Sequence, residues 1–338
     1  MSRAAHVVAL LSATLVFQAA RAQTSSTESS DPPALRGAIE SYRSGDAAAA
    51  ERALRALPGN ADAEAWLAVL LIDRGQERDA LRTLQHAAAA GSAEANHRLG
   101  VAYAQGRLGL ARDDARAAQL FEKAANAGHH RAAVNLGLLY LRGQGVKRDL
   151  VQARAWLEKG AADGNPDALY ALGRAMEEGD GQAQPDPVRA ATLYRRAAEK
   201  GHALAALRYG LALSEGTGVK RDPVEAQRLF LQAQTSGVPE AALALGDLAA
   251  RRPATRDKAA NEKIVETAIS WYRYAADAGV PSAQFKLANA YFAGAGVARD
   301  PAQALRWYAR AAQQGLPEAE HALGIMTMGG VAGPADPA

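Results

Sequence analysis

Apolar residues recur along most of this chain at the spacing of one face of an α-helix. In the first helix of most predicted units, alanine is followed by leucine at +4, a small residue at +5 and an aromatic or apolar residue at +8. These offsets share one helical face. Because glycine inside a helix is less stable than alanine by about 1 kcal/mol, we expect the recurring glycine to admit a neighbouring helix. Examples are Ala95/Leu99/Gly100/Tyr103, Ala132/Leu136/Gly137/Tyr140 and Ala283/Leu287/Ala288/Tyr291.

The second helix of each unit carries a pair of large apolar residues, usually with the aromatic second. Where the aromatic residue is second, an alanine follows it by three positions. This helical spacing predicts that the aromatic rings belong to the core rather than to a sugar-binding platform. The pairs are Leu120-Phe121, Leu193-Tyr194, Leu229-Phe230, Trp271-Tyr272 and Trp307-Tyr308, with the order inverted in Trp156-Leu157.

A glycine opens each unit at a nearly constant interval. The successive intervals are 37, 36, 37, 36, 42 and 36 residues. Repeated helical hairpins of this period predict an all-α solenoid, in which each hairpin packs on its neighbours. The opening glycines, each with alanine four residues later, are Gly91, Gly128, Gly164, Gly201, Gly237, Gly279 and Gly315.

Three units share the loop Gly-x-Gly-Val-x-x-Asp, at residues 143–149, 216–222 and 294–300. We expect its first glycine to end one helix in a left-handed conformation and its aspartate to cap the next helix. Pro223 and Pro301 then take the first helical position. The valine should fill the gap between the two helices. A phosphate-binding loop would need a preceding strand, so this loop is predicted to be structural.

The combined motif resembles the Sel-1-like repeat, a relative of the tetratricopeptide repeat, from about Gly91 to Gly330. The resemblance implies a right-handed α-solenoid of stacked helix-turn-helix repeats, whose first helices line a concave surface. It also implies an adaptor that holds other proteins together. Exported bacterial members of the family serve envelope assembly, polysaccharide secretion or host contact. A cysteine-rich branch has been linked to penicillin binding, but this chain has no cysteine.

Five segments follow from these patterns. We predict a signal peptide at residues 1–22 and a disordered tether at 23–34. Two tetratricopeptide-like hairpins occupy 35–90, with turns at Gly45-Asp46 and Gly75-Gln76. Six Sel-1-like repeats follow at 91–314. A C-terminal capping helix and tail then occupy 315–338.

The first 22 residues have the features of a secretory signal. Arg3 lies in the polar start, Val7–Phe17 is mostly apolar, and Ala20-Arg21-Ala22 is a small-x-small cleavage site. The apolar run is too short for a transmembrane anchor. We therefore expect cleavage after Ala22 and a periplasmic or secreted protein. Without the two signal arginines, the net charge falls from +3 to +1, which argues against nucleic-acid binding.

No residue pattern typical of catalysis or of metal and cofactor binding is present. The chain lacks His-Glu-x-x-His, Gly-x-Ser-x-Gly and Ser-x-x-Lys motifs. We therefore expect no enzyme, no catalytic residue, no cofactor and no metal. His129 and His202 share one repeat position and are interpreted as turn residues rather than ligands. His97 and His321 occupy a helix position that is apolar in other repeats, so partial burial is predicted.

Two units depart from the repeat pattern. Residues 177–186 replace the loop with an acidic segment, which we interpret as solvated. Residues 251–263 add length and a local charge of +3. This second segment is either a partner-binding insertion or a longer, exposed helix start.

Variable positions of the first helices are where a partner would bind. Their polar and basic character suits other envelope proteins or extended, acidic peptides, and the alternative is that they are ordinary solvated positions. We predict a protein-binding scaffold, with a role in exopolysaccharide secretion or cell-wall biogenesis as the alternative. A hydrolase or β-lactam-binding protein would need a nucleophile and a pocket. The predicted partner-binding residues are Arg98, Asn135, Arg174, Arg208, Asp247, Lys286 and Asn289.

Overall fold

A computed structural model describes residues 32–179 and 184–328, and all regular secondary structure in these ranges is helical. The predicted all-α solenoid of stacked hairpins is thereby confirmed. The predicted signal peptide, residues 23–31 of the tether and the tail at 329–338 lie outside the described residues. Helix α1 begins at Pro33, so the last two residues of the predicted tether are helical. Within the described ranges, no helix is both long and apolar enough to cross a membrane.

Seventeen helices follow one another along the described chain. The first four helices are α1 (Pro33–Arg43), α2 (Ala47–Arg55), α3 (Ala61–Asp73) and α4 (Glu77–Ala89). The middle of the chain forms α5 (Ala93–Gln105), α6 (Asp114–Asn126), α7 (His130–Arg142), α8 (Leu150–Gly160), α9 (Pro166–Glu178) and α10 (Pro187–Glu199). The remaining helices are α11 (Ala203–Glu215), α12 (Pro223–Thr235), α13 (Glu240–Ala250), α14 (Lys258–Asp277), α15 (Pro281–Ala293), α16 (Pro301–Gln313) and α17 (Pro317–Met328).

The helices form two compact units, one ending at Leu193 and the other beginning at Tyr194. Within each unit, consecutive helices pack against each other, and first helices of neighbouring hairpins also touch, as α3 with α5 and α11 with α13. Each hydrophobic cluster draws on helices of two successive hairpins, so the core runs from one hairpin into the next. This is the arrangement that a repeated helical hairpin requires to bury its apolar faces.

The loop between the paired helices has the predicted caps. Gly143, Gly216 and Gly294 end their helices in the left-handed conformation, with φ of 68°, 80° and 72°. Each following helix starts from an aspartate whose side chain accepts a backbone N–H of the first turn. Pro223 and Pro301 occupy the first helical position, as expected.

The second glycine of the loop faces the preceding hairpin. A Cβ placed on Gly145 would lie 2.2 Å from the backbone carbonyl of Asp114, at the start of α6. The equivalent Cβ on Gly296 would lie 2.8 Å from a methyl group of Val265 in α14. The neighbouring valines Val146 and Val297 are partly buried against the core clusters, which confirms their predicted filling role.

Glycines inside the first helices lie directly against large side chains of the second helices. A Cβ on Gly100, Gly210 or Gly246 would come within 2.5–2.7 Å of the ring of Phe121, Phe230 or Tyr272. These rings are 8% exposed or less, so the predicted core role of the aromatic position is confirmed. The recurring glycine therefore serves close packing inside the hairpin.

The insertion forms an exposed connection at residues 251–257 and the first turns of a longer helix, α14. Helix α14 has 20 residues, where most second helices have 13, and residues 251–259 are exposed. Two hydrogen bonds connect the loop to the first turn of α14. The Asn261 side chain accepts from Thr255 N at 2.7 Å and donates to Thr255 O at 2.8 Å.

The last helix packs against α16 with one face and leaves the other uncovered. Met326 is buried with Ala304 and Tyr308, whereas Ile325 and Met328 are 54% and 85% exposed. His321 is exposed, so the prediction of partial burial is wrong for this residue. The reason is that no described second helix follows α17. His97, by contrast, is half-buried as predicted.

Candidate functional site

The predicted partner-binding residues all lie on first helices. Arg98, Asn135 and Arg174 lie on α5, α7 and α9 of the first unit, and the other four lie on α11, α13 and α15 of the second. Six of the seven are half-buried, and Asn289 is exposed. Their side chains therefore border the surface while making contacts within the fold.

In the second unit, two of these residues form a polar contact between neighbouring first helices. The Lys286 ammonium group donates to the Asp247 carboxylate at 2.6 Å, and the Tyr272 hydroxyl donates to the same oxygen at 2.7 Å. Burial and the Asp247 carboxylate raise the pKa of Tyr272 above its ordinary value. Asn289 in turn accepts from the Tyr308 hydroxyl at 2.5 Å. These groups link first helices to each other and to second helices.

In the first unit, the arginines pair with acids of their own helices. Arg174 lies 3.0 Å from Glu178, four residues later on α9. Arg98 lies 2.5 Å from Glu94 on α5, and its guanidinium group is 4.8 Å from the centre of the Trp66 ring. The stacking on Trp66 of α3 fixes Arg98 between two neighbouring first helices.

Glu94 also joins α5 to the start of α7. The Nδ1 atom of His129 accepts the backbone N–H of Ala132 and so caps α7. The ring proton is therefore on Nε2, which donates to Glu94 at 3.0 Å. His129 is 3% exposed. The prediction that His129 is a turn residue is confirmed. Its hydrogen bond to Glu94 was not predicted from the repeat spacing.

His97 completes this group. Its ring stacks on the ring of His129 with centroids 4.3 Å apart and planes 23° apart. Its Nε2 accepts from the side-chain amide of Asn135 at 3.2 Å. Burial lowers the pKa of His97 well below its ordinary value, and the guanidinium groups of Arg98 and Arg131 act in the same direction against the Glu94 carboxylate. His97 is therefore neutral at neutral pH.

We call these residues, together with Arg131 of α7, the Glu94 cluster; its members are Glu94, His97, Arg98, His129 and Arg131. Burial would raise the pKa of Glu94, but Arg98 and His129 outweigh it and hold the pKa well below its ordinary value. Glu94 is thus a carboxylate that is held by two donors.

Three nitrogen atoms in the cluster are buried without a hydrogen-bond partner. They are Nδ1 of His97, Nε of Arg98 and Nη2 of Arg131. No other buried side-chain nitrogen or oxygen within residues 32–179 and 184–328 lacks a partner in this way. Since buried polar groups are nearly always hydrogen-bonded, this concentration marks the cluster as unusual.

The cluster holds potential metal ligands, but its protonation does not fit a cation. One ligand atom each of Glu94, His97 and His129 lies within 4.8 Å of the others. However, Nε2 of His129 carries a proton and Nδ1 is occupied by the helix cap. Arg98 is paired with the carboxylate, and the rings of His97 and His129 are stacked on each other. A cation would therefore have to break the cap and displace a guanidinium group.

Sequence spacing identified Arg98 and Asn135 but not the partners that join them. His129 lies 35 residues from Glu94, and Asn135 lies 38 residues from His97. Both separations are close to the repeat length of about 36 residues. Because residues one repeat apart on first helices are neighbours, the repeat length could have predicted these two contacts.

Comparisons with known proteins agree with the fold. A family model of the Sel1 repeat matches residues 93–129, 130–165, 166–202, 203–237, 265–280 and 281–316. These segments cover more than half of the chain. Four of them span a whole hairpin from α5 to α12, and the short fifth segment falls on α14, where the insertion interrupts the repeat.

Two solved structures resemble this chain in fold and sequence. A Sel1 repeat protein from Oxalobacter formigenes is 30% identical, with a TM-score of 0.64 over 73% of this chain and 96% of its own. The c5321 protein, a protective antigen of uropathogenic Escherichia coli with an SLR fold, is 25% identical, with a TM-score of 0.61 over 87% of this chain and 71% of its own.

Characterised relatives are components or regulators of larger systems. Chitin synthase regulatory factor 3 of Schizosaccharomyces pombe is 30% identical over 64% of this chain, and chitin synthase regulator SKT5 of Saccharomyces cerevisiae is 31% identical over 67%. The HRD3B component of an ERAD-associated ubiquitin ligase of Arabidopsis thaliana is 37% identical over 32%. This chain spans only 17% to 33% of the lengths of these three relatives. With six matched segments on its helical hairpins, the chain belongs to the Sel1 repeat family.

Proposed function

We propose that this protein is a non-enzymatic scaffold of the bacterial cell envelope that binds other proteins through the surface of its first helices. The observation that carries the proposal is the Glu94 cluster, where charged side chains of α5 and α7 are half-buried on that surface and three donors lack partners. Family membership supports it, because Sel1 repeat proteins are of the protein-interaction type. The signal-like first 22 residues support export.

Charge reversal tests the binding surface. A variant with Arg98, Arg174 and Arg208 replaced by glutamate should lose its partner, because acidic groups would meet repulsion where they now meet arginine. A matched control reverses three arginines of second helices, the half-buried Arg154 and the exposed Arg195 and Arg228. The measurement is a pull-down of tagged protein from the periplasmic fraction, with mass spectrometry. Loss in both variants, or in neither, would contradict a first-helix binding surface.

Export is tested separately. Expression of the full chain in a bacterium should yield periplasmic protein whose N-terminus is Gln23, because the cleavage site ends at Ala22. Intact mass and N-terminal sequencing measure this directly. Uncleaved protein in the cytoplasm would contradict the envelope location.

A second candidate function is regulation of polysaccharide export or cell-wall synthesis. It is favoured by the names of two relatives, both regulators of chitin synthase, a polysaccharide-forming enzyme. Under this hypothesis the captured partner is a polysaccharide synthase or export component. Deletion of the gene should then reduce exopolysaccharide or alter wall composition, and an unchanged polymer yield would exclude this role.

A further inference from the structure

The glycine inside a first helix marks the place where a large side chain of the second helix packs. A Cβ at this position of α5, α7, α11 or α13 would lie 2.5–2.7 Å from that side chain. Each of these large side chains is 8% exposed or less. The pairs are Gly100 with Phe121, Gly137 with Leu157, Gly210 with Phe230 and Gly246 with Tyr272.

Gly324 of α17 has the same position in the repeat, but nothing packs on it. It follows the buried Ala319 by five residues, which is the spacing in the four hairpins above. No atom of the described residues packs within 4 Å of its Cβ position. Ile325 and Met328 beside it are 54% and 85% exposed. The spacing i, i+3, i+4 and i+7 places four residues on one accessible face, which are His321, Gly324, Ile325 and Met328.

The repeat position of His321 also meets the second helix elsewhere. Its counterpart Phe285 on α15 has its ring centroid 5.6 Å from that of Tyr308 on α16. Its counterpart His97 on α5 lies 5.9 Å from Phe121 on α6 by the same measure. On α17 this position is exposed. The face of α17 therefore continues the interface that other first helices form with their second helices.

The second helices show what kind of helix fits this face. An alanine lies four residues before the large side chain, and alanine or glycine lies three residues after it. These small residues are buried, which lets the two helices approach closely. The sets are Ala117/Phe121/Ala124, Ala153/Leu157/Gly160, Ala226/Phe230/Ala233 and Ala268/Tyr272/Ala275.

The residue after the first-helix glycine decides which large side chain is accepted. Asp247 and Asn289 have this position, and each accepts the hydroxyl of the tyrosine in its own hairpin, Tyr272 or Tyr308. Hairpins with phenylalanine or leucine have an apolar residue there instead. The combinations are Val101 with Phe121, Leu138 with Leu157, Arg174 with Tyr194, Leu211 with Phe230, Asp247 with Tyr272 and Asn289 with Tyr308. On α17 the position is Ile325, which offers no acceptor and so favours phenylalanine or leucine.

We propose that the exposed face of α17 binds one helix of a partner protein with the pattern Ala-x-x-x-Phe-x-x-Ala, in which leucine can replace phenylalanine. The large side chain packs on Gly324 beside Ile325, and the helix lies along α17 as a second helix does. This second binding surface does not depend on the predicted residues Arg98, Arg174 and Arg208, so either surface can fail without the other.

A separate protein fits this face better than a second copy or the tail. Within the described residues, each second helix that carries the pattern already buries its large side chain in its own hairpin. A second copy would therefore have to open a hairpin to supply such a helix. Residues 329–338 contain no phenylalanine, tyrosine or leucine.

The test uses the purified full-length protein and a fluorescein-labelled peptide of residues 113–127, the α6 sequence, which carries the pattern with Phe121. Fluorescence anisotropy should show binding of this peptide. Matched peptides with Phe121→Ala or Phe121→Tyr should bind at least about tenfold more weakly, because alanine loses the buried ring and tyrosine buries a hydroxyl without an acceptor. Failure of the Phe121 peptide to bind, or equal affinity of either matched peptide, would overturn the proposal.

Gly324→Ala locates the contact on the protein. Its methyl group meets nothing in the described chain, so the variant should stay folded, but it should weaken the Phe121 peptide by about tenfold, because the ring packs there. Gly37→Ala makes the same change at an exposed helix position with nothing within 4 Å and should bind as wild type. Circular dichroism checks the folding of both variants. Equal affinity of Gly324→Ala and wild type would refute the proposed contact.

Ile325→Asn tests the preference for phenylalanine. The asparagine supplies the acceptor that Asn289 provides for Tyr308. The variant should bind the Phe121→Tyr peptide more tightly than wild type does and the Phe121 peptide more weakly. An unchanged order of the two peptides would contradict the role given to Ile325.

Three further outcomes would reject the partner helix. A dimer seen by light scattering that Gly324→Ala dissociates would assign the face to a second copy. Binding of the Phe121 peptide only after removal of residues 329–338 would assign it to the tail. If reversal of Arg98, Arg174 and Arg208 releases the captured partner while Gly324→Ala binds the peptide as wild type does, the scaffold function stands and this second surface is wrong.

Discussion

The contact between the first-helix glycine and the second helix makes a sharp stability prediction. In Gly137→Ala, the new methyl group would lie 2.7 Å from Cγ of Leu157 and 3.0 Å from the carbonyl oxygen of Ala153. Leu157 is fully buried, and the carbonyl belongs to the backbone of α8, so neither atom can move aside without shifting the helix. The two helices must therefore separate.

The expected size follows from two opposed effects. Overpacking of a filled core lowers the free energy of unfolding by about 1–3 kcal/mol, and alanine in place of glycine within a helix returns up to about 1 kcal/mol. The net loss should be about 1–2 kcal/mol. For a unit of this size, that lowers the melting temperature by roughly 2–8 °C. Urea and thermal unfolding followed by circular dichroism measure both quantities.

Gly37→Ala is the matched control. Gly37 is also inside a helix, α1, but it is exposed and has no atom within 4 Å of the Cβ position. Only the helix-propensity gain applies there, so this variant should be more stable than wild type by about 0.5–1 kcal/mol. If Gly137→Ala were as stable as wild type while Gly37→Ala gained stability, the close-packing explanation of the repeated glycine would be refuted.

Three further predictions concern caps, the chain end and pH. Asp222→Ala should lower the free energy of unfolding by about 1 kcal/mol in urea denaturation, whereas Asp222→Asn keeps the acceptor and should lose less. Deletion of residues 315–338 uncovers Tyr308 and should lower the melting temperature or cause aggregation; unchanged melting and solubility would contradict a capping role. The pKa of His97 is lowered in the folded state, so the unfolded chain binds more protons and stability should fall as the pH drops below 6.5; His97→Gln should flatten that slope.

The fold was predictable because its signals are short-range. The glycine that ends α7, the aspartate that caps α8 and the apolar face between them all lie within one hairpin of sequence. Each depends on local backbone conformation, so the residue pattern alone predicts it. The repeat interval then gives the stacking of hairpins without any long-range information.

The candidate site was only partly predictable. Spacing placed Arg98 and Asn135 on first helices, but it could not show that His97 and His129 stack or that Glu94 takes two donors. Those contacts depend on how far one first helix is rotated relative to the next, which side-chain packing decides. For the same reason, the contact of Lys286 with Asp247 in the second unit could not be predicted from the sequence.

The two glycines of the loop also bear on how a repeat array of this kind can gain repeats during evolution. The first glycine ends the first helix of its own hairpin. The second, at Gly145 and Gly296, packs against the second helix of the preceding hairpin. A hairpin with this loop thus carries both sides of the contact: a second helix that the next loop packs against, and a loop that packs against the second helix before it. Tandem duplication of one block of about 36 residues would join two such halves at the new seam with no new side chain required. Gene duplication alone is then a sufficient route for lengthening the chain.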